Sequence, residues 1–310
     1  MPLRVCVIGA GVVGLSCASA ICEEGSLGEV SVTVVSASLD ETTTTSIGSA
    51  GLWKPNLVEG STVQVNEWGR ATFQHFQRLY YSEDAATAGV SMIEAFHLYR
   101  RDQSFEEPFW KDIVINYRLL HDSDLRQMNI PTEFSHGFSY TTMTAEQSLY
   151  LKFLKSKLMS KKVSFIERKV ESIVDFISNA GSDYDVVINC CGLGAYNMIG
   201  DHRLYPIRGQ VVRVHAPWMK SLWMFDTSYI IPNNSGVVLG GTADSGNWDD
   251  SAPSELTTRK IIDDIARVFP AMKSAPVVGL WCSFVSPFLL HLLAKCLGRV
   301  AACQGDRRST

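Results

Sequence analysis

The stretch VCVIGAGVVGLSCA, Val5 to Ala18, decides the fold: an aliphatic run breaks at Gly9, Gly11 and Gly14 and then resumes. Residues Arg4–Ile8 have the continuous β-branched character of a strand covered on both faces. After the glycines, LSCASAICEEG carries apolar residues at helical intervals and stops at Gly25, and VSVTVVS, Val30–Ser36, reads as a second strand. Strand, G-x-G-x-x-G turn, helix and strand together make the βαβ unit of a dinucleotide-binding fold. Gly9 permits the tight turn, Gly11 lets a pyrophosphate approach the backbone, and Gly14 lets helix and strand pack closely. The anion then rests on a helix N-terminus, where unpaired N–H groups and the dipole favour it. The predicted contacts in this turn are Gly9, Ala10, Gly11, Val12, Val13 and Gly14. A glycine-rich turn is sometimes only structural; here the strand before it and the helix after it favour binding.

One expected part is missing. The second strand usually ends in a carboxylate that bonds the adenosine ribose. Here it exits as Ser36-Ala37-Ser38, and the first carboxylates are Asp40 and Glu41. Ser36 is the predicted contact in their place.

Composition narrows the function classes. The chain has 310 residues, 46% of them hydrophobic, with a formal net charge of −4, enough for one sizeable core or two smaller ones. Lys and Arg are scattered rather than blocked, so nothing recruits nucleic acid or an anionic membrane. The longest apolar runs, near Val5–Leu15 and Ser286–Leu293, fall short of the roughly 20 residues a membrane span needs. The chain starts directly on a strand, without a signal-peptide pattern, and reads as soluble and intracellular. Its eight cysteines include no C-x-x-C pair, and Cys6 and Cys17 fall inside apolar segments, as buried reduced thiols do. The seven histidines make no H-E-x-x-H spacing, so no metal is predicted.

The segment DETTTTSIGSAGLWKP, Asp40–Pro55, is hydroxyl-rich and then glycine-rich, which suits a long phosphate-and-ring ligand. With the V-I-G-A-G-V-V-G-L-S turn before it, it resembles the D-amino-acid oxidase and D-aspartate oxidase family of flavoenzymes. The resemblance continues through EEPFWKDIV (Glu106–Val114), ERKVES (Glu167–Ser172) and DYDVVINCCGLGA (Asp183–Ala195). YPIRGQVVRVHAPWMK (Tyr205–Lys220) and SYIIPN…VVLGGTADSGNW (Ser228–Trp248) are long, specific blocks of the same family.

That resemblance implies FAD rather than NAD. It implies that Thr45, Ser46, Ala50, Gly51 and Leu52 line phosphate and flavin, and that Val170 and Cys191 make later cofactor contacts. Tyr229 would direct its hydroxyl at the substrate carboxylate. The family's chemistry is hydride transfer from the substrate α-carbon to flavin N5, hydrolysis of the imino acid, and reoxidation by oxygen to hydrogen peroxide. No protein acid or base is required, so no catalytic side chain is assigned. The implied partners are a D-amino acid, molecular oxygen and a second copy of the chain; the family's location is peroxisomal.

The pattern breaks near the end. Gly279 and Leu280 match the family's G-(L/F)-R-P, whose arginine clamps the substrate carboxylate, but Trp281 stands at the arginine position. The Y-G-H-G stretch that closes over the flavin is absent, and the chain ends Arg308-Ser309-Thr310 without an S-K-L-type address, which predicts a cytosolic protein. So abrupt a change reads as a shifted frame or an alternative last exon. SPFLLHLLAKCL is either a short apolar helix after Pro287 or a poorly ordered tail. A catalytically impaired binding partner of full-length chains is therefore the alternative function, and an oxidase of glycine or N-methyl amino acids a distant third.

The substrate leans acidic. EDAATAGV, EEPFW and CCGLGAYNMIGD resemble D-aspartate oxidases, and the lid before SYIIP is cut to Phe225-Asp226-Thr227, although AGLWKP is nearer the D-amino-acid side. An acidic substrate wants a second cation, for which Lys54 and Arg213 are the candidates, Lys54 being taken as a substrate-binding residue. The expected fold class is α/β: a discontinuous Rossmann-like FAD-binding domain, residues 1–50 plus 145–205, and a mixed or antiparallel-sheet substrate domain, 51–144 plus 206–280. Residues 281–310 form an atypical tail. APSELTTRKIIDDIARVFPAM reads as a helix capped by Ser254.

Overall fold

A computed structural model describes residues 1–55, 58, 60–180, 183–249 and 252–285. The chain opens with β1 (Leu3–Ile8), α1 (Val12–Glu23), β2 (Val30–Ser36) and a single helical turn, α2 (Thr45–Gly48). A long helix α3 (Thr62–Tyr80), strands β3 (Val90–Arg100) and β4 (Ile115–Leu120), helix α4 (Asp122–Gln127) and strand β5 (Phe134–Ala145) follow. Then come α5 (Gln147–Ser160), β6 (Ser164–Glu167), α6 (Ile173–Ala180), β7 (Val186–Asn189) and α7 (Ala195–Met198). The last part holds β8 (Ile207–Val214), β9 (Leu222–Phe225), β10 (Ser228–Pro232), β11 (Val237–Gly240), β12 (Asp244–Ser245), α8 (Glu255–Ala266) and β13 (Val277–Val285). The tail helix expected after Pro287 lies outside the described residues.

Four strands form one parallel sheet in the order β6-β2-β1-β7. Alternation explains its aliphatic sequence. Val5, Val7, Val32 and Val34 face the main core, while Cys6, Ile8 and Val35 face a second cluster with Phe176 and Met198. The remaining strands make a nine-stranded sheet, in which β12, β8, β11, β10, β9, β3, β5 and β4 run in order and β13 adds to β8. It is mixed rather than antiparallel throughout, because β3 pairs β9 in parallel. Helix α8 begins where the sequence places it: the Ser254 side chain accepts the Thr257 N–H.

The crossing from the first sheet to the second is fixed by packing around Trp53. Its indole donates to Gly69 O at 3.1 Å, its carbonyl accepts from Thr142 Oγ1 at 3.1 Å, and its ring meets Phe73 edge-on at 5.0 Å. Just before it, Gly51 has φ +70°, and a Cβ there would lie 1.8 Å from Ala145 O. Only glycine passes at that point. Residues 50–54 are thereby held as a rigid ledge between the sheets. Cys6, Cys22, Cys190, Cys191 and Cys282 are free thiols, but Cys17 is disulfide-bonded, which corrects the expectation of reduced thiols at that position.

Candidate functional site

Each glycine of the opening turn has a distinct job. At Gly9, φ is +115° and a Cβ would fall 2.3 Å from Cys190 O, so the turn needs a residue without one. At Gly14 a Cβ would sit 1.8 Å from Gly9 O, which is the close helix-to-turn packing expected. Gly11, the N-cap of α1, is different: the nearest atom to its Cβ position is Ser46 Oγ, at 3.3 Å. The Ser46 hydroxyl stands over that position, and Gly11 itself has no side chain with which to cap the helix. Val13 buries its side chain in the core, so only its backbone N–H remains for the site. Ala10 lies half-buried in the turn.

Facing this turn is α2. Ser46 Oγ accepts the Val12 N–H at 3.1 Å, tying the hydroxyl-rich segment to the head of α1. Behind α2 stands β13. The Trp281 indole lies flat enough on Gly48 that a Cβ there would be 1.7 Å from Nε1. Arg213, across the β8–β13 pair from Gly279, sends Nη2 to the carbonyls of Ile47 and Gly48 at 3.3 and 3.4 Å. Trp281 and Arg213 therefore both hold α2, one by packing and one by capping its last carbonyls.

Two cavities open on either side of these elements. The first, about 240 Å³, is lined by Gly9, Ser36, Val170 and Cys191 and also by Arg168 and Glu171. The second, about 380 Å³, is lined by Val12, Thr45, Ser46, Ala50, Gly51, Leu52, Lys54 and Tyr229. All the cofactor positions expected from the sequence, apart from Ala10, Gly11, Val13 and Gly14 in the connecting turn, thus line one cavity or the other. Sequence reasoning missed Arg168 and Glu171. Glu171, paired with Lys169 at 2.8 Å, brings a carboxylate to the cavity at the end of β2, where Ser36 left that role open; Asp40 and Glu41 do not line that cavity, Asp40 bonding Thr42 and Glu41 pairing with Lys155. It also missed Gln147 in the wall of the larger cavity, whose buried Oε1 has no hydrogen-bond partner among the described residues.

A long two-ended ligand fits these features. The smaller cavity could receive one end and the larger cavity the other, with the N-terminal N–H groups of α1 at Gly11 and Val13 available to an anionic middle. The orphaned acceptor of Gln147 adds a polar partner for a ring edge.

Beyond the larger cavity lies a third, about 360 Å³, lined among others by His97, Tyr99, Gln103, Ser104, Asp226 and Thr227. Lys54 and Tyr229 line both. Tyr229 stands against the backbone of Gly240 and Gly241, where any Cβ would collide with its ring. Burial pushes its phenol up to about 12, with Arg213 pulling the other way, so it is a hydroxyl donor at neutral pH. Lys54 is held below the usual ammonium range by desolvation alone, and its only hydrogen-bond partner among the described residues is Met224 Sδ at 3.5 Å. The histidines nearby are neutral: burial drops His75 to about 4 and His97 well below its usual value, and each bonds a tyrosine hydroxyl at 3.0 Å. Among the described residues no cluster of His, Cys, Asp and Glu could hold a metal, and no helix is long and apolar enough to cross a membrane.

Comparison with known proteins agrees with the geometry. Residues 4–293 match the DAO family, described as FAD dependent oxidoreductase, a match that runs past Leu280. The chain is 31% identical to D-aspartate oxidase from Homo sapiens over 276 residues, covering 88% of this chain and 77% of that one. It is 30% identical to D-amino acid oxidase from Dugesia ryukyuensis over 282 residues, covering 90% and 81%. The fold is similar to glycine oxidase from Bacillus cereus ATCC 14579, with TM-score 0.73 at 17% identity over 98% of this chain and 95% of that one.

Proposed function

The chain belongs to the DAO family of FAD-dependent oxidoreductases, and we propose that it oxidises D-amino acids, acidic ones such as D-aspartate foremost, to 2-oxo acids with release of ammonia and hydrogen peroxide. FAD, the family's cofactor, supplies the hydride acceptor when bound. The protein's own residues bind and orient. On this reading Gly9, Gly11 and Gly14 with the head of α1 take the pyrophosphate. Ser36, Val170 and Cys191 take the adenosine end; Thr45, Ser46, Ala50, Gly51 and Leu52 take the flavin end. The Tyr229 hydroxyl bonds the substrate carboxylate, and Lys54 contributes charge on the same wall. Residues 1–50 with 145–205 serve as the cofactor domain, and 51–144 with 206–280 as the substrate domain.

The observation that carries the proposal is the shared wall. Lys54 and Tyr229, a cation and a hydroxyl donor, border the cavity that the flavin-end residues line. An anionic substrate lying along that wall meets a hydroxyl donor and a cation without an acid or base being needed. The test is peroxide release from purified, FAD-loaded protein, with D- and L-aspartate and D- and L-alanine in parallel. D-aspartate turned over fastest supports the reading. Flavin-loaded protein that releases no peroxide from any D-amino acid would overturn it and leave a binding role.

A further inference from the structure

We propose that Lys54 is the residue that selects acidic substrates, by receiving the side-chain carboxylate while Tyr229 holds the α-carboxylate. This rests on the oxidase reading and deepens it. A substrate whose α-carbon lies in the flavin-end cavity must direct its side chain somewhere, and the neighbouring cavity opens across the wall formed by Lys54 and Tyr229. No residue of the glycine turn or of α2 reaches that second space, so it lies on the substrate side.

The charge there is set by Lys54. Asp226 is the carboxylate on that cavity's lining, and it is neutralised by Arg100 at 2.7 Å and Arg267 at 3.4 Å. His97 is neutral, bonded to Tyr140, and burial raises Tyr99 and Tyr229, so both keep their protons. Lys54, by contrast, has no carboxylate within ion-pair distance among the described residues, and only a thioether sulfur accepts from it. A half-buried ammonium without a counter-ion is costly unless a ligand brings one. The other cation near Tyr229, Arg213, is turned to the carbonyls of Ile47 and Gly48, and Trp281 packs on Gly48 and carries no charge. Lys54 is thus the available cation, and a second carboxylate on the substrate is its natural partner.

The experiment measures binding without turnover. FAD-loaded parent, Lys54→Met and Lys54→Arg proteins are titrated with malonate and with acetate, neither of which has an amine to oxidise, and the flavin absorbance change is followed. Loss of one charge-assisted bond should weaken malonate about tenfold to a hundredfold in Lys54→Met, with acetate shifted about threefold or less. Lys54→Arg should retain malonate binding. Failure of the parent to bind malonate, or equal malonate affinity in parent and Lys54→Met, overturns the assignment. Equal loss of acetate and malonate also overturns it, because Lys54 would then hold the α-carboxylate. Lys54-dependent malonate binding in a protein that oxidises no D-amino acid would leave this site standing and remove the oxidase reading instead.

Discussion

Gly48→Ala gives the sharpest test of how β13 holds the cofactor segment. An alanine Cβ at this position would lie 1.7 Å from Trp281 Nε1, 2.1 Å from Cδ1 and 2.3 Å from Cε2. Contacts that short force the indole away, and overpacking of this kind costs about 1–3 kcal/mol. Helix propensity acts in the opposite direction, since Ala is favoured over Gly by about 1 kcal/mol in a helix interior and by less at the end of α2. Gly48 does not have a positive φ, so no backbone strain enters. The net expectation is a loss of about 1–2 kcal/mol in the parent. In a Trp281→Ala background the obstacle is gone, and Gly48→Ala should be neutral or stabilising by a few tenths of a kcal/mol. The coupling energy between the two positions is therefore about 1–3 kcal/mol, measured by urea unfolding of both single variants, the double variant and the parent. Equal cost of Gly48→Ala in both backgrounds would refute the contact and, with it, the role of Trp281 in holding α2.

Three further outcomes are expected. Gly11→Val puts a branched side chain against Ser46 Oγ at the head of α1, so FAD affinity should fall more than tenfold while far-UV circular dichroism is unchanged; retained flavin would make the turn purely structural. Tyr229→Phe removes one hydroxyl from a charge-assisted bond and should cost about 1.5–3 kcal/mol of substrate binding, read as a raised KM with FAD affinity unmoved. Lys54→Met should stabilise the ligand-free protein at neutral pH. Desolvation depresses the folded-state pKa of Lys54 below its unfolded value of 10.5, so the penalty is full below the depressed pKa and fades as pH rises to 10.5. Urea midpoints for parent and variant should converge across that window, and a gap that widens with pH would contradict the burial argument.

Local features were legible in the sequence, and long-range ones were not. Val30–Ser36 is a strand with the boundaries expected from its β-branched run, and Ser254 caps α8, because both depend on neighbours within a few residues. Helix α1 starts at Val12 rather than after Gly14, since the turn residues already adopt helical geometry. The parallel β3–β9 pairing joins segments more than a hundred residues apart, and nothing in either strand announces it. The positions expected to hold the cofactor rest on resemblance, and in the structure most of them line two cavities. Trp281 is the instructive miss. The sequence shows that it is not an arginine; only the structure shows that it packs on Gly48, and that Arg213 caps the same turn.

The committed state of the buried ionisable groups leads to a last prediction, on pH. Glu146, buried near the ledge, accepts from Ser148 Oγ at 2.7 Å and from both the N–H and the hydroxyl of Ser235. His75 and His97 are neutral, each tied to a tyrosine hydroxyl, and burial has moved both below the range in which histidines ordinarily titrate. Tyr229 stays protonated up to about 12. Lys54 is the remaining group on the wall that changes charge with a shifted pKa, and it does so on the alkaline side. If the protein binds and orients without exchanging protons, kcat should be flat from about pH 6 to 8, and kcat/KM for D-aspartate should fall as pH rises through the depressed pKa of Lys54. Lys54→Met should abolish that alkaline fall while leaving the plateau in kcat. Initial rates of peroxide release across pH 6 to 10 decide it. A bell-shaped kcat with a limb near pH 6.5 would mean that a histidine acts in the reaction, and that the neutral, hydrogen-bonded pair described here is not the state in which the enzyme works.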